Sequence, residues 1–287
     1  MLFNAGFMAN QAVVRHLPGK DDLVLVDRLI HHSIAQALLQ GPANFKRYDH
    51  LDMLHLEELI EKNHTRFNTI FVFTESVFSM DGDYPDLQHL VRIKKKNPFI
   101  LVLDEAHGTG VYGVTGAGLA EEASVSDEID IIVGTLGKAL ASMGAYVLAK
   151  SSAIIEYLIN HSGEFIYSTY LTPAQAGAAS AAVEILQESG QKRASLRDKA
   201  VVFRRELNRS GWKTNNFDSP IIPILVGDIQ RTLDLRDHFL EKGIIAGAVR
   251  PPTVPKGTSR IRLSLHSELE EDQLSNLLIL LNQWKTH

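Results

Sequence analysis

The chain has 287 residues, 45% of them hydrophobic, enough to bury a large core and to divide into two domains. A net charge of −5, without a basic stripe interleaved with aromatics, argues against nucleic acid as the main partner, and the lack of cysteine excludes a disulfide framework or a thiolate metal site. No apolar stretch approaches a membrane span and no charged leader precedes an apolar core, so the expected compartment is the cytoplasm, with no membrane partner.

In chain order, apolar runs of strand length alternate with segments of helical period. The pattern predicts a helix over 9–17, a strand over 23–27, helices over 33–39 and 53–61, a strand over 69–74 and a helix over 87–95 whose lysines 94–96 form a solvated end. Strands over 99–104, 129–133 and 145–149 follow, then helices over 153–159 and 174–186. Beyond Glu188-Ser189-Gly190 the chain becomes more charged. A helix over 193–208 leads into a strand over 221–226, a helix over 231–241, strands over 244–249 and 260–265, and a helix to the end, with Ser267 and Glu270 spaced as its capping box. The expectation is an α/β protein: a mostly parallel sheet sandwiched by helices over 1–188, and a smaller C-terminal α+β domain over 189–287. There is no internal repeat.

The chemistry concentrates in Asp104-Glu105-Ala106-His107 and Thr135-Leu136-Gly137-Lys138. Asp104 closes a fully apolar run, and ligands of open α/β sheets bind outside the carboxyl ends of their strands. A lysine that carries pyridoxal phosphate as a Schiff base needs a carboxylate to hold the pyridinium proton, and Asp104 suits that role. His107, three residues on, suits the phenolic oxygen, and the Thr135 hydroxyl suits the phosphate. Singly, each residue reads more simply as a solvated lysine, a helix-capping acid or a turn hydroxyl; their order and context shift the balance toward the cofactor. Gly108-Thr-Gly-Val-Tyr-Gly113 matches GxGxxG, but no helix follows directly and Gly116 and Gly118 come next, so it reads as a flexible glycine loop and not as a dinucleotide site.

Six segments carry a family resemblance: Asn4-Ala-Gly-Phe-Met-Ala-Asn10, Asp27-Arg-Leu-Ile-His31, Val77-Phe-Ser-Met-Asp-Gly82, Asp104-Glu-Ala-His107, Gly134-Thr-Leu-Gly-Lys138 and Arg250-Pro-Pro-Thr-Val-Pro-Lys-Gly-Thr258. In this order, across nearly the whole chain, they resemble the α-oxoamine synthases of the class-II pyridoxal phosphate-dependent aminotransferase family. The resemblance implies fold type I and a decarboxylating condensation of an amino acid with an acyl thioester. It also implies a homodimer with shared active sites and catalytic roles for Lys138, His31, Asp104 and His107. His31 would stack on the ring and offer a proton; Gly6 and Phe7, before the first helix, would hold the phosphate; Ser79 would lie near the phenolic oxygen. Ser168 and Thr169 would reach the neighbouring subunit's phosphate. Arg262 would hold the amino-acid carboxylate and Arg250 the substrate entrance. The plainer readings are a helix-start histidine, an ordinary turn, strand-end hydroxyls and a surface arginine.

The last segment is most similar to the biotin-pathway branch, which implies L-alanine as amino donor and a pimeloyl thioester of coenzyme A or carrier protein as acyl donor. The rival is a glycine C-acetyltransferase-like activity. Family members also carry an N-terminal arm, a glycine-rich stretch and a first helix that are absent before Met1, so a second expectation is a silent subunit that dimerises with a complete homologue. Glu105 stands where aspartate is usual, a change that conserves charge. Ser142-Met143-Gly144 stands where small residues follow the lysine turn, and is expected to crowd the cofactor side of the pocket.

Overall fold

The computed structural model describes residues 1–285, and the chain forms two compact units, Met1–Phe78 with Tyr84–Gly190, and Ser79–Asp83 with Gln191–His287. The first unit contains strands β1 (Leu2–Phe3), β2 (Leu23–Asp27), β3 (Asn44–Tyr48), β4 (Ile70–Glu75), β5 (Ile100–Asp104), β6 (Ile131–Thr135) and β7 (Ala145–Ala149). They form one sheet in the order β1-β7-β6-β5-β4-β2-β3. The run from β6 to β3 is parallel, whereas β7 pairs antiparallel with β6 and β1 antiparallel with β7. Helices α1 (Gly6–His16), α2 (His32–Gln40), α3 (Met53–Asn63), α4 (Leu87–Lys96), α5 (Leu119–Glu122), α6 (Ser152–His161), α7 (Gly163–Ile166) and α8 (Pro173–Glu188) connect and follow the strands. This is the mostly parallel sheet flanked by helices expected from the sequence.

Both faces of the sheet are covered, because every residue of β2 and β4 is buried. Side chains alternate between faces along a strand. Val24, Val26, Phe71, Phe73, Val102, Ile131 and Val133 pack with Ala9, Val13 and Ile34 of α1 and α2. On the opposite face Leu23, Leu25, Val72, Leu101 and Leu103 are fully buried as well. Truncating a ring such as Phe73 in such a core costs about 3–5 kcal/mol. At its C-terminus, α1 places Arg15 and His16 against the carboxylate of Glu164, at 2.6 and 2.8 Å, which also complements the helix dipole.

The second unit holds α9 (Gly190–Arg209), β8 (Ile221–Gly227), α10 (Ile229–Glu241), β9 (Gly247–Val249), β10 (Ser259–Ser264) and α11 (Glu271–Lys285), with an antiparallel sheet in the order β8-β10-β9. Ile222, Ile224, Ile261 and Leu263 face the core formed with Phe203, Phe239 and Leu277. Arg260 and Arg262 alternate onto the other face. Arg260 is buried and pairs with Asp81, and Arg262 Nε donates to the Ser79 carbonyl at 2.5 Å, so the short segment 79–83 belongs to this unit.

Several local expectations are corrected. Strand β3 lacks an apolar run because it is a largely exposed edge, and the two-residue β1 is too short to carry a period. The strand expected over 129–133 begins at Ile131, since Ser126–Glu128 forms a short 3-10 turn before it. The strand expected over 244–249 starts only at Gly247. The Ser267 and Glu270 capping box does not form: α11 starts at Glu271, the Glu270 N–H donates to the Gln273 side chain, and the Ser267 hydroxyl donates to Glu268. The last two residues of the helix expected to run to the end lie outside the described residues. The glycine stretch 108–113 is a series of hydrogen-bonded turns with Val111 and Tyr112 buried, instead of a flexible loop.

Candidate active site

The alternation that builds the core also builds the site. Phe71 and Phe73 face α1, so Glu75 at the end of β4 faces it too; Val102 places Asp104 at the end of β5 there, and Val133 places Thr135 at the end of β6. Three neighbouring parallel strands therefore present an acid, an acid and a hydroxyl on one face at their carboxyl ends. A cavity of about 210 Å³ opens at this point, lined by Gly6, Phe7, Asn10, His31, Glu75, Asp104, Ala106, His107, Val133, Gly134, Thr135 and Lys138.

Lys138 follows β6 in the Thr135-Leu136-Gly137 turn, and its Nζ lies 2.8 Å from His107 Nε2. Asp104 is buried and accepts two hydrogen bonds, from Asn10 Nδ2 at 2.8 Å and from the Ala106 N–H at 2.9 Å. Asn10 is itself held by contact with the Ser33 hydroxyl at 3.1 Å. The Thr135 hydroxyl lies 3.2 Å from both the Gly144 carbonyl, to which it donates, and the Gly137 N–H, which donates to it. Helix α1 begins at Gly6 behind an extended Ala5 that offers no side-chain cap, so the first-turn N–H groups, which have no intrahelical acceptor, open toward an anion at the cavity.

His31 combines two functions considered separately in the sequence. It is the N-cap of α2, its Nδ1 accepting from the Ser33 N–H at 3.3 Å, and its ring also lines the cavity. Burial holds its imidazole below the ordinary range, with the Asp104 carboxylate pulling the other way. Glu105, beside Asp104, points elsewhere. It is fully buried, accepts from the Leu119 and Ala120 N–H groups at 3.1 and 2.8 Å, and is pushed up to about 7, chiefly by desolvation. Its carboxylate fills the space that a Cβ at Gly108 or Gly118 would occupy, which accounts for two glycines of the loop.

The structure thus brings together Gly6, Phe7, His31, Asp104, His107, Thr135 and Lys138. Thr169 is not among the residues that line this cavity, and Ser79, Arg250 and Arg262 belong to the second unit. Thr169 is exposed, its carbonyl taking a hydrogen bond from Asn4, which also donates to the Ser168 hydroxyl at 2.7 Å. Arg250 lines a separate cavity of the second unit with Met80, Pro251 and Thr253, and Arg262 binds the Ser79 carbonyl and, at 2.8 Å, the Ser264 hydroxyl. Ser142 and Met143 do not crowd the pocket: the Ser142 hydroxyl bonds the Gln175 carbonyl at 2.8 Å, and Met143 is exposed. Sequence reasoning missed Asn10 and Glu75. Asn10 follows Gly6 by four residues, which is one face of a helix, and Glu75 lies one position beyond the strand end expected at residue 74.

A family model for class I and II aminotransferases matches residues 1–279. The chain belongs to that family. It is 40% identical over 285 residues to 8-amino-7-oxononanoate synthase of Citrifermentans bemidjiense, covering 99% of this chain and 73% of the relative, and 41% identical over 276 residues to that of Geobacter sulfurreducens, covering 96% and 70%. Among solved structures, Sphingomonas wittichii serine palmitoyltransferase matches with a TM-score of 0.94 and 28% identity, covering all of this chain and 72% of that one. The 8-amino-7-oxononanoate synthase of Francisella tularensis matches with a TM-score of 0.88 and 31% identity, covering all of this chain and 82% of that one.

Proposed function

We propose that this chain catalyses the decarboxylating condensation of L-alanine with a pimeloyl thioester, of coenzyme A or carrier protein, to give 8-amino-7-oxononanoate for biotin biosynthesis. At the level of class, it is a pyridoxal phosphate-dependent acyltransferase. The observation that carries the reading is the 2.8 Å contact between Lys138 Nζ and His107 Nε2 in the cavity that holds Asp104. The donor set fits the cofactor: a lysine amine, an imidazole, a buried carboxylate and an open helix N-terminus beside a hydroxyl, all lining one cavity.

Bound there, pyridoxal phosphate supplies an electron sink for the pair left behind when a bond to the amino-acid α-carbon breaks. Lys138 would be the amine that holds the cofactor, and its free amine would serve as general base for the α-proton. His107 holds the Lys138 amine in place. Asp104, aimed by Asn10 and the Ala106 N–H, would hold the proton of the cofactor's ring nitrogen. His31 would pack against the cofactor's ring, and the N–H groups of Gly6 and Phe7 with the Thr135 hydroxyl would hold its phosphate. On the family resemblance, Ser79 would serve the phenolic oxygen, Arg262 the amino-acid carboxylate and Arg250 the substrate entrance. Guanidinium geometry suits a carboxylate.

The reading includes a homodimer to which Thr169 contributes across the subunit boundary. Ile166, Tyr167 and Tyr170, close to it in sequence, are exposed, Tyr167 and Tyr170 at 89% and 70%, which suits a segment that a partner covers. The division into a cofactor-binding large domain and a C-terminal small domain belongs to the same reading. Relatives near 40% identity support the substrate, while the likeness to serine palmitoyltransferase supports the reaction class more broadly.

The test is to incubate the protein with pyridoxal phosphate, reduce it with borohydride and map the modified peptide. One dominant adduct at Lys138 is expected, lost in Lys138→Ala. A dominant adduct at another lysine, or none, would refute the site.

A further inference from the structure

Glu75 and Asp104 are register partners on adjacent parallel strands, and both line the cavity. Neighbouring strands lie about 4.8 Å apart, so two carboxyl groups on the same face at one register position cannot both ionise without a large cost in a buried setting. Their hydrogen bonds differ. Asp104 accepts from Asn10 and from the Ala106 N–H, one donor to each oxygen, an arrangement that favours the anion. Glu75 is 3% exposed; the His31 backbone faces it, yet Oε1 is buried with no hydrogen-bond partner. A buried carboxyl oxygen left this way points to a group waiting for a ligand. The other charged groups facing Glu75 are Lys138 and, more weakly, Asp27 on β2.

We propose that Glu75 is a further cofactor-binding residue: a neutral acid that donates a hydrogen bond to the ring-bearing ligand of this cavity, keeping its proton, while Asp104 alone carries the pair's negative charge. The inference rests on the pyridoxal phosphate reading of the site. Burial and the charge of Asp104 both push the Glu75 carboxyl well above its ordinary range, in the direction the geometry requires.

Glu75→Gln keeps the shape, the neutrality and a donor; Glu75→Ala keeps only neutrality. Cofactor titration followed by absorbance is expected to leave Glu75→Gln within about threefold of the parent protein and to weaken Glu75→Ala about tenfold, the worth of one hydrogen bond. Thermal unfolding without cofactor checks that each variant is folded. Infrared spectroscopy of the cofactor-free protein supplies a second measurement: the parent should show a protonated-carboxyl carbonyl band that Glu75→Gln lacks. If Glu75→Gln loses as much affinity as Glu75→Ala while melting normally, or if the parent lacks that band, the inference is overturned. Failure of the parent protein to take up pyridoxal phosphate would instead overturn the reading of the site, and the infrared band would still decide the state of Glu75.

Discussion

Asn10→Ala tests the link between helix α1 and the site. Asn10 is almost wholly buried, and its Nδ2 contacts Asp104 Oδ2 at 2.8 Å and the Ser33 hydroxyl at 3.1 Å. A hydrogen bond to a charged group is worth about 1.5–3 kcal/mol and a neutral one about 0.5–1.5 kcal/mol. Losing both should therefore lower the stability of the cofactor-free protein by about 2–4 kcal/mol, read from denaturant midpoints. Only the Asp104 bond bears on the cofactor, because the Ala106 N–H alone would then aim the carboxylate, so pyridoxal phosphate should bind roughly 10- to 100-fold more weakly. Ser33→Ala removes only the neutral bond and should cost about 1 kcal/mol, with cofactor affinity nearly unchanged. If Asn10→Ala loses less than about 0.5 kcal/mol and binds cofactor like the parent protein, the bond does not orient Asp104 and the reasoning fails.

Three further outcomes follow from the same geometry. Because the folded-state carboxyl of Glu105 is pushed up to about 7 from a usual 4.5, the native state holds a proton that the unfolded chain releases; its contribution to stability should fall as pH rises from about 4.5 to 7 and then level off. Glu105→Gln should flatten that part of the stability–pH curve by an amount on the order of 3 kcal/mol, and an unchanged slope would show that Glu105 is already ionised. A Cβ on Gly134 would stand 2.2 Å from the Tyr146 ring, whose hydroxyl lies 2.9 Å from that of Thr109, so Gly134→Ala should cost about 1–3 kcal/mol and disturb a cavity wall; a variant with the parent's melting temperature would contradict this. In a competition scoring α-proton exchange and CO2 release, alanine with pimeloyl-CoA should outrun glycine with acetyl-CoA. A methyl group discriminates by only about 1–3 kcal/mol, so the acyl chain should decide, and preference for the glycine pair would refute the substrate while leaving the class intact.

The buried strands and the lysine turn were legible because they are local. Residues 100–104 are apolar up to a terminal acid, and that acid's position at a strand end suffices to suggest a ligand. Glu75 carries the same signal, but a strand expectation that stops at Thr74 places it in a loop. Asn10 is harder: an asparagine inside a helix has no distinguishing pattern, and its meaning comes from Asp104, 94 residues away. Strand β3 escaped because Lys46 and Arg47 give it the composition of a loop; its membership of the sheet comes from pairing with β2. The Ser267 and Glu270 spacing shows the reverse error, a local motif satisfied on paper while the first turn is closed by Gln273 instead.

The segment Ser79–Asp83 bears on how such a chain can be divided. The backbone leaves the first unit after Phe78, returns at Tyr84 and leaves again after Gly190, so the second unit is discontinuous in the gene. A C-terminal fragment starting at residue 191 would contain Arg260, 5% exposed, without the Asp81 carboxylate that neutralises it, and the Ser219 hydroxyl without its Gly82 carbonyl. Breaking a buried ion pair by removing one partner costs about 3–5 kcal/mol, a large share of what a domain of that size has in reserve. Five residues that interrupt the sequence of the first unit therefore act as a covalent dependency: recombination, tagging or fragment exchange at the 190/191 boundary would have to carry residues 79–83 along to deliver a self-consistent second unit.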